Sequence, residues 1–390
     1  MAEHTLRFSP TSSKDVASFK LLELPPDLCA LIESAVPPTL TIKGHPSEEA
    51  VLCTSNKTYA IRSVVLSNTV LVVTRSPGGN EEDTDTIVIR DQVKEVLELV
   101  PSVPRLHKLG VLLRGMGYDE GQDEEGMDVD DDILDGDDDR PPKRRKLTYP
   151  DAQREIQASE AELSTALKSQ HILILNGALR PITPSYLTTV LELVLTTLIS
   201  HGLPHTSAVP VKDVVDALAE EYEVKKEVGR QVLEWFGEIV GGVGDREKER
   251  WEMDVEGVVR EVGLGILRNH KDDPIAEDEF LTQWKKAVGD TFESAVSLPL
   301  LSGNYLSTSF PDTHPKTLTY FPSSSLPLDP PSRFSDLFLT RPKWLAADIA
   351  PFLADCAVDK KERDKLLLKY ARATTEGTGK EVYYTARGKM

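Results

Sequence analysis

Apolar and polar residues alternate in short runs over the first quarter of the chain, as they do in β-strands that bury one face. The predicted strands are TLTIK (39–43), EAVLC (49–53), KTYAI (57–61), TVLVVTR (69–75) and DTIVIR (85–90). Two helical patterns follow, at 91–100 and 104–115. We therefore predict that residues 1–115 form a mainly antiparallel sheet, a meander or half-barrel. Its open edges would need a partner chain to cover them.

The remaining two thirds of the chain change to apolar residues at helical spacing. The predicted elements are an exposed helix (151–170), a short strand in HILILNG (171–177), and core helices at 187–198, 211–218 and 228–239. Sequence spacing shows no repeat of fixed length, only loosely similar groups of helices. We predict one or two winged-helix domains over residues 148–275.

Residues 331–387 predict one compact module in the order helix, helix, basic helix and β-hairpin. Phe334, Leu337 and Phe338 form the apolar stripe of the first helix, Leu345 begins that of the second, and Asp359 is the cap of the third. This order is typical of a winged helix, a helix-turn-helix relative with a hairpin appended, and we assign it to residues 276–390. The outer face of the third helix carries four cations within roughly 80° of one another, namely Lys361, Lys365, Lys369 and Arg372. These cations are either DNA phosphate contacts or the solvated face of an ordinary helix, and the sequence leaves both readings open.

The negative charge of the chain is concentrated in one segment. The 390 residues have a formal net charge of −19, and residues 119–139 contain thirteen acidic side chains and no basic one. Such a run repels itself, so we expect residues 116–147 to be a disordered acidic linker. A basic cluster follows beside two prolines and consists of Lys143, Arg144, Arg145 and Lys146. It resembles a nuclear import signal and predicts a nuclear protein; a patch that only balances the acidic run is the alternative.

The sequence contains no convincing constellation for catalysis, a metal or a cofactor. His201 and His205 are four residues apart, but Gly202 and Pro204 keep them off one helical face. The glycine-rich segments lack the residues of a phosphate loop, and no nucleophile elbow is present. Three scattered cysteines favour a reducing compartment, and neither a leader nor a bilayer-spanning run is evident. We predict a non-enzymatic protein that is not inserted in a membrane.

Five segments together carry a resemblance to a known family: LLELPPDL (21–28), IKGHPSEEAVLCTSNKTYAIRSVVLSN (42–68), YFPSSSLPLDPPSRFSDLF (320–338), LLLKYAR (366–372) and KEVYYTAR (380–387). The chain resembles the sister-chromatid-cohesion subunit of the alternative replication factor C clamp loader over nearly its whole length. Lys57, Thr58 and Tyr59 lie in the most recognisable N-terminal part. The acidic run carries no match, and residues 200–275 are similar only in helical pattern.

This resemblance implies a non-catalytic α+β subunit. Its N-terminal sheet would join a very small partner subunit and the tail of the loader's large subunit in a composite barrel. Its tandem winged helices would dock on the catalytic subunit of DNA polymerase epsilon and contact single- and double-stranded DNA, while the sliding clamp PCNA would be an indirect partner. The residues alone leave two other functions open, a winged-helix transcription regulator and a histone-binding chaperone that uses residues 119–139.

Overall fold

The protein divides into two compact units. The computed structural model describes residues 5–8, 19–36, 39–46, 48–75, 86–120, 146–205, 207–241, 248–308, 316–376 and 381–387. Unit 1 contains Met1–Leu106 and Gln153–Ser164, and unit 2 contains His107–Ala152 and Thr165–Met390. Over the described ranges the fold is mixed α+β with small sheets, none of which closes into a barrel. None of the helices in these ranges has the length and apolar character needed to cross a bilayer.

A six-stranded sheet dominates unit 1. Its strands are β1 (Thr5–Phe8), β2 (Leu21–Glu23), β3 (Thr41–Lys43), β4 (Val51–Cys53), β5 (Thr58–Arg75) and β6 (Thr86–Pro101). The order is β1-β6-β5-β4-β3, and β2 also pairs with β6. Strands β3 to β6 pair antiparallel, whereas β1 and β2 run parallel to β6. Helix α1 (Pro26–Ile32) packs on this sheet through a small buried cluster formed by Leu28, Leu52, Tyr59 and Leu99.

Two predictions for this sheet are wrong. The segments KTYAI and TVLVVTR belong to one continuous strand, β5, and the helix predicted at 91–100 is the second half of β6. Val93, Leu97 and Val100 fit helical spacing, but Val93 and Leu97 also share one face of a strand. Residues 92, 93 and 95–100 pair with β5, with a register shift between Val65 and Val70. This pairing favours the strand over the helix, and the local sequence pattern does not reveal it.

Residues 153–164 belong to unit 1 although they follow the acidic run in sequence. After α2 (His107–Leu112), the helix predicted at 151–170 is in fact two helices, α3 (Tyr149–Glu155) and α4 (Glu160–Ser169). The second begins with a capping box: the Glu162 amide donates to Ser159 Oγ at 3.3 Å, and the Ser159 amide donates to Glu162 Oε2 at 2.9 Å. This start signal explains why the helix is interrupted.

A two-stranded hairpin, β7 (Ile172–Leu175) and β8 (Ala178–Pro181), precedes the helical part of unit 2. Asn176 and Gly177 form its turn, and both have the positive φ angles that an Asn-Gly hairpin turn requires. The sequence predicts the first strand but not ALRP, because this short segment contains a charge and a proline. An isolated bridge joins Thr148 to Ala178, and a second joins Tyr118 to Ile182, directly after β8. Unit 2 thus holds the chain on both sides of the acidic run.

Three consecutive segments of unit 2 share one order of elements: helix, short strand, helix, helix or helical turns, and two further strands. The first repeat contains α5 (Pro184–Ser200), β9 (Val209–Pro210), α6 (Val211–Tyr222), α7 (Lys226–Trp235), β10 (Gly237–Val240) and β11 (Arg250–Met253). The second contains α8 (Val255–Leu267), β12 (Ile275–Ala276), α9 (Glu277–Val288), 3-10 turns at Glu293–Ala295 and Leu298–Leu301, β13 (Tyr305–Thr308) and β14 (Thr317–Tyr320). The third contains α10 (Pro330–Thr340), β15 (Lys343–Leu345), α11 (Ala346–Ile349) with a 3-10 turn at Ala350–Leu353, α12 (Lys360–Tyr370), β16 (Ala371–Glu376) and β17 (Glu381–Ala386).

The three small sheets have the same strand order. The orders are β10-β11-β9, β12-β14-β13 and β15-β17-β16, so the last strand of each repeat lies in the centre. Buried residues of the first two repeats form one continuous core, and the third repeat has a core of its own. The sequence prediction missed β15, because Leu345 was assigned to the helix that follows.

Each repeat contains one fully buried tryptophan, at Trp251, Trp284 and Trp344. Each indole N–H donates to a main-chain carbonyl of a helix in its own repeat, with acceptors at Leu233 (2.8 Å), Val259 (2.8 Å) and Leu337 (2.9 Å). A buried indole needs such a partner, because an unsatisfied donor is costly in an apolar core. The three tryptophans therefore lock strand to helix or helix to helix in each repeat, although they occupy different elements.

Candidate protein and nucleic-acid interfaces

Strand β5 has an open edge over most of its length. One side of the strand pairs with β6, whereas the other side pairs with β4 only at Thr58–Ala60. Beyond the bond from the Ile61 amide to Ala50, the described residues provide no partner strand for positions 62–75 on that side. Unpaired strand edges of this length offer main-chain donors and acceptors to another chain.

Apolar side chains are exposed on the same part of the sheet. Val65 is 80% exposed, and the other exposed apolar residues of β5 are Val64, Val70, Leu71 and Val73. Leu6 and Phe8 on β1 are exposed as well. A sheet that carries both an open edge and this many exposed apolar side chains has the features of a protein interface. Sequence reasoning anticipated the open edge, but it could not identify which residues are exposed without the strand register.

The family-like residues Lys57, Thr58 and Tyr59 stabilise unit 1 from within. The buried Tyr59 hydroxyl donates to Asp27 Oδ2 at 2.8 Å, and Lys57 Nζ lies 3.3 Å from the same oxygen, which ties α1 to β5. Burial, together with the bond to Asp27, raises the pKa of Tyr59 to about 12. The Tyr59 hydrogen bond in turn lowers the pKa of the Asp27 carboxyl.

Thr58 joins the sheet to residues 153–164. Its hydroxyl donates to Glu162 Oε2 at 2.5 Å and accepts from the Ser159 amide at 3.0 Å. Lys43 Nζ donates to the Ala158 carbonyl at 2.7 Å, and burial lowers the pKa of that ammonium. Through these contacts, the family-like N-terminal stretch binds residues 153–164 to the sheet of unit 1.

The structure places three of the four candidate DNA-binding residues on one helix. Lys361, Lys365 and Lys369 are all exposed on α12, and Lys369 Nζ lies 4.9 Å from the centre of the Tyr370 ring. The prediction that Arg372 continues this helix is wrong, because α12 ends at Tyr370 and Arg372 lies on β16. The Asp359 side chain caps the helix through the Glu362 amide, as predicted, at 2.7 Å.

Arg372 belongs to a different basic surface. In the register of the third sheet it lies opposite Thr385, which in turn lies opposite Lys343. Lys343 Nζ is 4.4 Å from the centre of the Tyr383 ring. Exposed cations of the third repeat therefore lie both on its third helix and on its sheet.

The third-helix positions of the first two repeats differ from α12. In the first repeat, the amide of Gln231 on α7 bonds to both the N–H and the carbonyl of Ile174, at 2.8 and 3.0 Å, and His171 stacks on Phe236. The β7–β8 hairpin thus covers part of this helix. In the second repeat the third helix is replaced by 3-10 turns over residues 293–301, which contain no lysine or arginine.

Two other predicted features lie largely outside the described residues. Lys143, Arg144 and Arg145 of the candidate import signal are outside them, and Lys146 is exposed. The acidic run beyond Glu120 is outside them as well, while Asp119 accepts a hydrogen bond from Thr183 at 3.1 Å.

The histidines that were considered as metal ligands lie apart in the structure. His201 Nε2 is 2.9 Å from Glu221 Oε1, and the His205 ring packs edge-on against Phe292. Over the residues that the structure describes, no group of three or more histidine, cysteine or carboxylate side chains is arranged to hold a metal ion.

These features define a mixed α+β protein with an open sheet edge in one unit and three helix-and-hairpin repeats in the other. A family model described as sister chromatid cohesion protein Dcc1 matches residues 19–353. Sister chromatid cohesion protein DCC1 of Homo sapiens is 28% identical, over 99% of this chain and 93% of that protein. The Xenopus tropicalis protein of the same name is 28% identical, with 98% and 93% covered. The Saccharomyces cerevisiae protein is 24% identical, with 95% and 97% covered.

The chain therefore belongs to the Dcc1 family of sister chromatid cohesion proteins. The family resemblance drawn from the sequence is confirmed.

Proposed function

We propose that this chain is a non-catalytic subunit of the alternative replication factor C clamp loader and supports DNA replication and sister chromatid cohesion in the nucleus. The observation that carries the proposal is the open edge of β5 in a member of the Dcc1 family. An edge with exposed apolar residues is suited to permanent assembly with other chains and is a liability for a free protein.

In this proposal, the large and small cohesion-specific subunits of the loader complete the sheet. A strand from a partner would pair along residues 62–75 of β5, and its side chains would cover Val65 and its apolar neighbours. The open sheet of unit 1 would then be one half of a composite barrel. The repeats of unit 2 would link this assembly to the catalytic subunit of DNA polymerase epsilon, with PCNA as an indirect partner.

Co-purification of the full chain with the small subunit and the large-subunit tail tests this interface. The variant Val65→Asp/Leu71→Asp should lose at least about tenfold in partner recovery, because burying two apolar residues contributes several kcal/mol of binding free energy. Its own stability should change little, since both residues are exposed. Val111→Asp, on the 64% exposed Val111 of α2, is a matched control that should bind normally. Recovery of the double variant at the level of the control would refute the proposed interface.

We also infer that the three repeats are winged-helix domains and that the third contacts single- and double-stranded DNA. The shared order of elements, with the last strand central in each sheet, supports the domain type. The exposed Lys361, Lys365 and Lys369 support phosphate contact through α12, and Arg372 on the sheet extends the basic surface. The first two repeats offer no comparable third helix. No side chain has an evident base-reading arrangement, so binding should be independent of sequence.

Binding of the full chain to duplex DNA at several salt concentrations tests this assignment. The variant Lys365→Ala/Lys369→Ala should bind all sequences more weakly and flatten the salt slope by up to about two units, because each phosphate contact contributes about 0.9. Lys285→Ala/Lys286→Ala removes the same charge from exposed positions of α9 and should leave the slope unchanged. Equal losses in both variants would mean that net charge alone drives binding, and the proposed DNA surface would be wrong.

A further inference from the structure

The exposed face of α12 carries an apolar side chain among its cations. Leu368 is 70% exposed and, at 100° per residue, lies roughly 20° from Lys361 and 60° from Lys365 around the helix axis. Phosphate contact requires cations and N–H donors but no exposed leucine. The combination of lysines with a leucine instead suits an acidic peptide that also carries apolar side chains.

One segment of the chain itself has this composition. Residues 128–139, DVDDDILDGDDD, contain eight acidic side chains, no basic one, and the apolar residues Val129, Ile133 and Leu134. Its charge is opposite to that of the α12 face. An acidic run whose only role is to stay solvated has no need of the adjacent pair Ile133 and Leu134.

The attachment points of this segment allow it to reach α12. Thr148 forms a bridge with Ala178 on β8, and Tyr118 forms one with Ile182, which directly follows β8. Residue 133 is about fifteen residues from both Thr148 and Tyr118 in the sequence. At roughly 3.3 Å per residue, that length of chain spans up to about 50 Å. A folded body the size of unit 2 has a radius of gyration of about 18 Å, so an exposed helix of the same unit is within range. Tethering also gives the segment an effective concentration on the order of millimolar.

We propose that residues 128–139 dock on the α12 face, with Ile133 and Leu134 against Leu368 and the carboxylates against Lys361 and Lys365. The occupant is this chain's own acidic segment, selected by charge complementarity and by its tether on unit 2. Docking there would compete with DNA. This competition rests on the proposed function, whereas the docking itself does not.

Zero-length carbodiimide cross-linking of the full chain, read by mass spectrometry, tests docking without DNA. We expect cross-links from carboxylates of residues 128–139 to Lys361 and Lys365, at a yield at least about tenfold above those to Lys285 and Lys286, which are also exposed. A mixture of ¹⁴N and ¹⁵N protein distinguishes links within one chain from links between copies. Links found only between copies, or spread evenly over all four lysines, would overturn the proposal.

A charge-preserving variant tests the role of the apolar pair. Ile133→Ser/Leu134→Ser should abolish the cross-links to α12 and raise duplex DNA affinity about tenfold, as expected if the face is about 90% occupied in the parent chain. Val111→Ser/Ile199→Ser changes two exposed apolar residues elsewhere and should do neither. Unchanged cross-links in the first variant would refute specific docking. If no variant binds DNA, the proposed DNA contact fails, and the cross-links alone decide the docking proposal.

Discussion

Arg333 is the residue whose replacement should disturb the third repeat most. Its side chain is fully buried, and its guanidinium donates to the carbonyls of Pro327 (2.6 Å), Phe352 (2.7 Å), Leu326 (3.2 Å) and Ser323 (3.2 Å). It also pairs with both oxygens of Asp355, whose side chain is 42% exposed. One arginine thus joins α10 to the segment before it and to the end of the 3-10 turn after α11.

The loss in unfolding free energy can be calculated from the carbonyl groups that lose the Arg333 side chain as their hydrogen-bond donor. In Arg333→Met, the carbonyls of Leu326, Pro327 and Phe352 lose these bonds, while Ser323 still accepts from the Leu326 amide. At about 1–2 kcal/mol for each of these three carbonyls, the expected loss in unfolding free energy of this repeat is about 3–6 kcal/mol. Asp355 is partly hydrated, so Asp355→Asn should cost only about 1 kcal/mol. Arg333→Lys keeps the charge but not the planar fork, and should fall between the two.

Hydrogen exchange in urea, read by mass spectrometry on the full chain, measures this local stability. Peptides from α10 to β17 should lose protection in the order Arg333→Met, Arg333→Lys, Asp355→Asn, while peptides of the first repeat keep theirs. If Arg333→Met is no more destabilising than Asp355→Asn, the carbonyl network contributes little and the argument fails.

Two further predictions concern other parts of unit 2. A Cβ at Gly263 would lie 2.7 Å from Cζ2 of the buried Trp284, so Gly263→Ala should lower the free energy of unfolding, measured by urea titration, by about 1–3 kcal/mol. Gly110→Ala should not lower it, because a Cβ on that helical glycine would meet nothing within 4 Å. Equal urea midpoints for the two variants would contradict the clash. Burial lowers the pKa of His171, so the folded protein takes up its proton less readily than the unfolded chain. The contribution of the neutral His171 to the free energy of unfolding should therefore be complete above about pH 6.5 and be lost as the pH falls below it, by at most about 1.4 kcal/mol per pH unit. His171→Phe should reduce this pH dependence in urea titrations. An identical pH dependence in both proteins would refute the prediction.

Strong local signals in the sequence predicted the elements that depend on few distant contacts. The Asp359 cap and the stripe of Phe334, Leu337 and Phe338 identified helices of the third repeat, and Phe334 and Leu337 are fully buried. The pattern at 91–100 failed because its residues satisfy both periods, and only pairing with β5 distinguishes them. Arg333 was missed because nothing in a single sequence separates a fully buried arginine from an exposed one such as Arg372 on β16.

The three repeats explain why sequence periodicity gave no count of domains. Their common feature is strand order and a buried tryptophan bonded to a helix carbonyl, yet Trp251 lies on β11, Trp284 on α9 and Trp344 on β15. Because the buried tryptophan occupies a different element in each repeat, it produces no repeated sequence pattern. The third helix also differs between the repeats: β7 covers part of it in the first repeat, and 3-10 turns replace it in the second. Only in the third repeat is that helix both regular and basic on its exposed face, which is why the DNA and docking experiments both converge on α12.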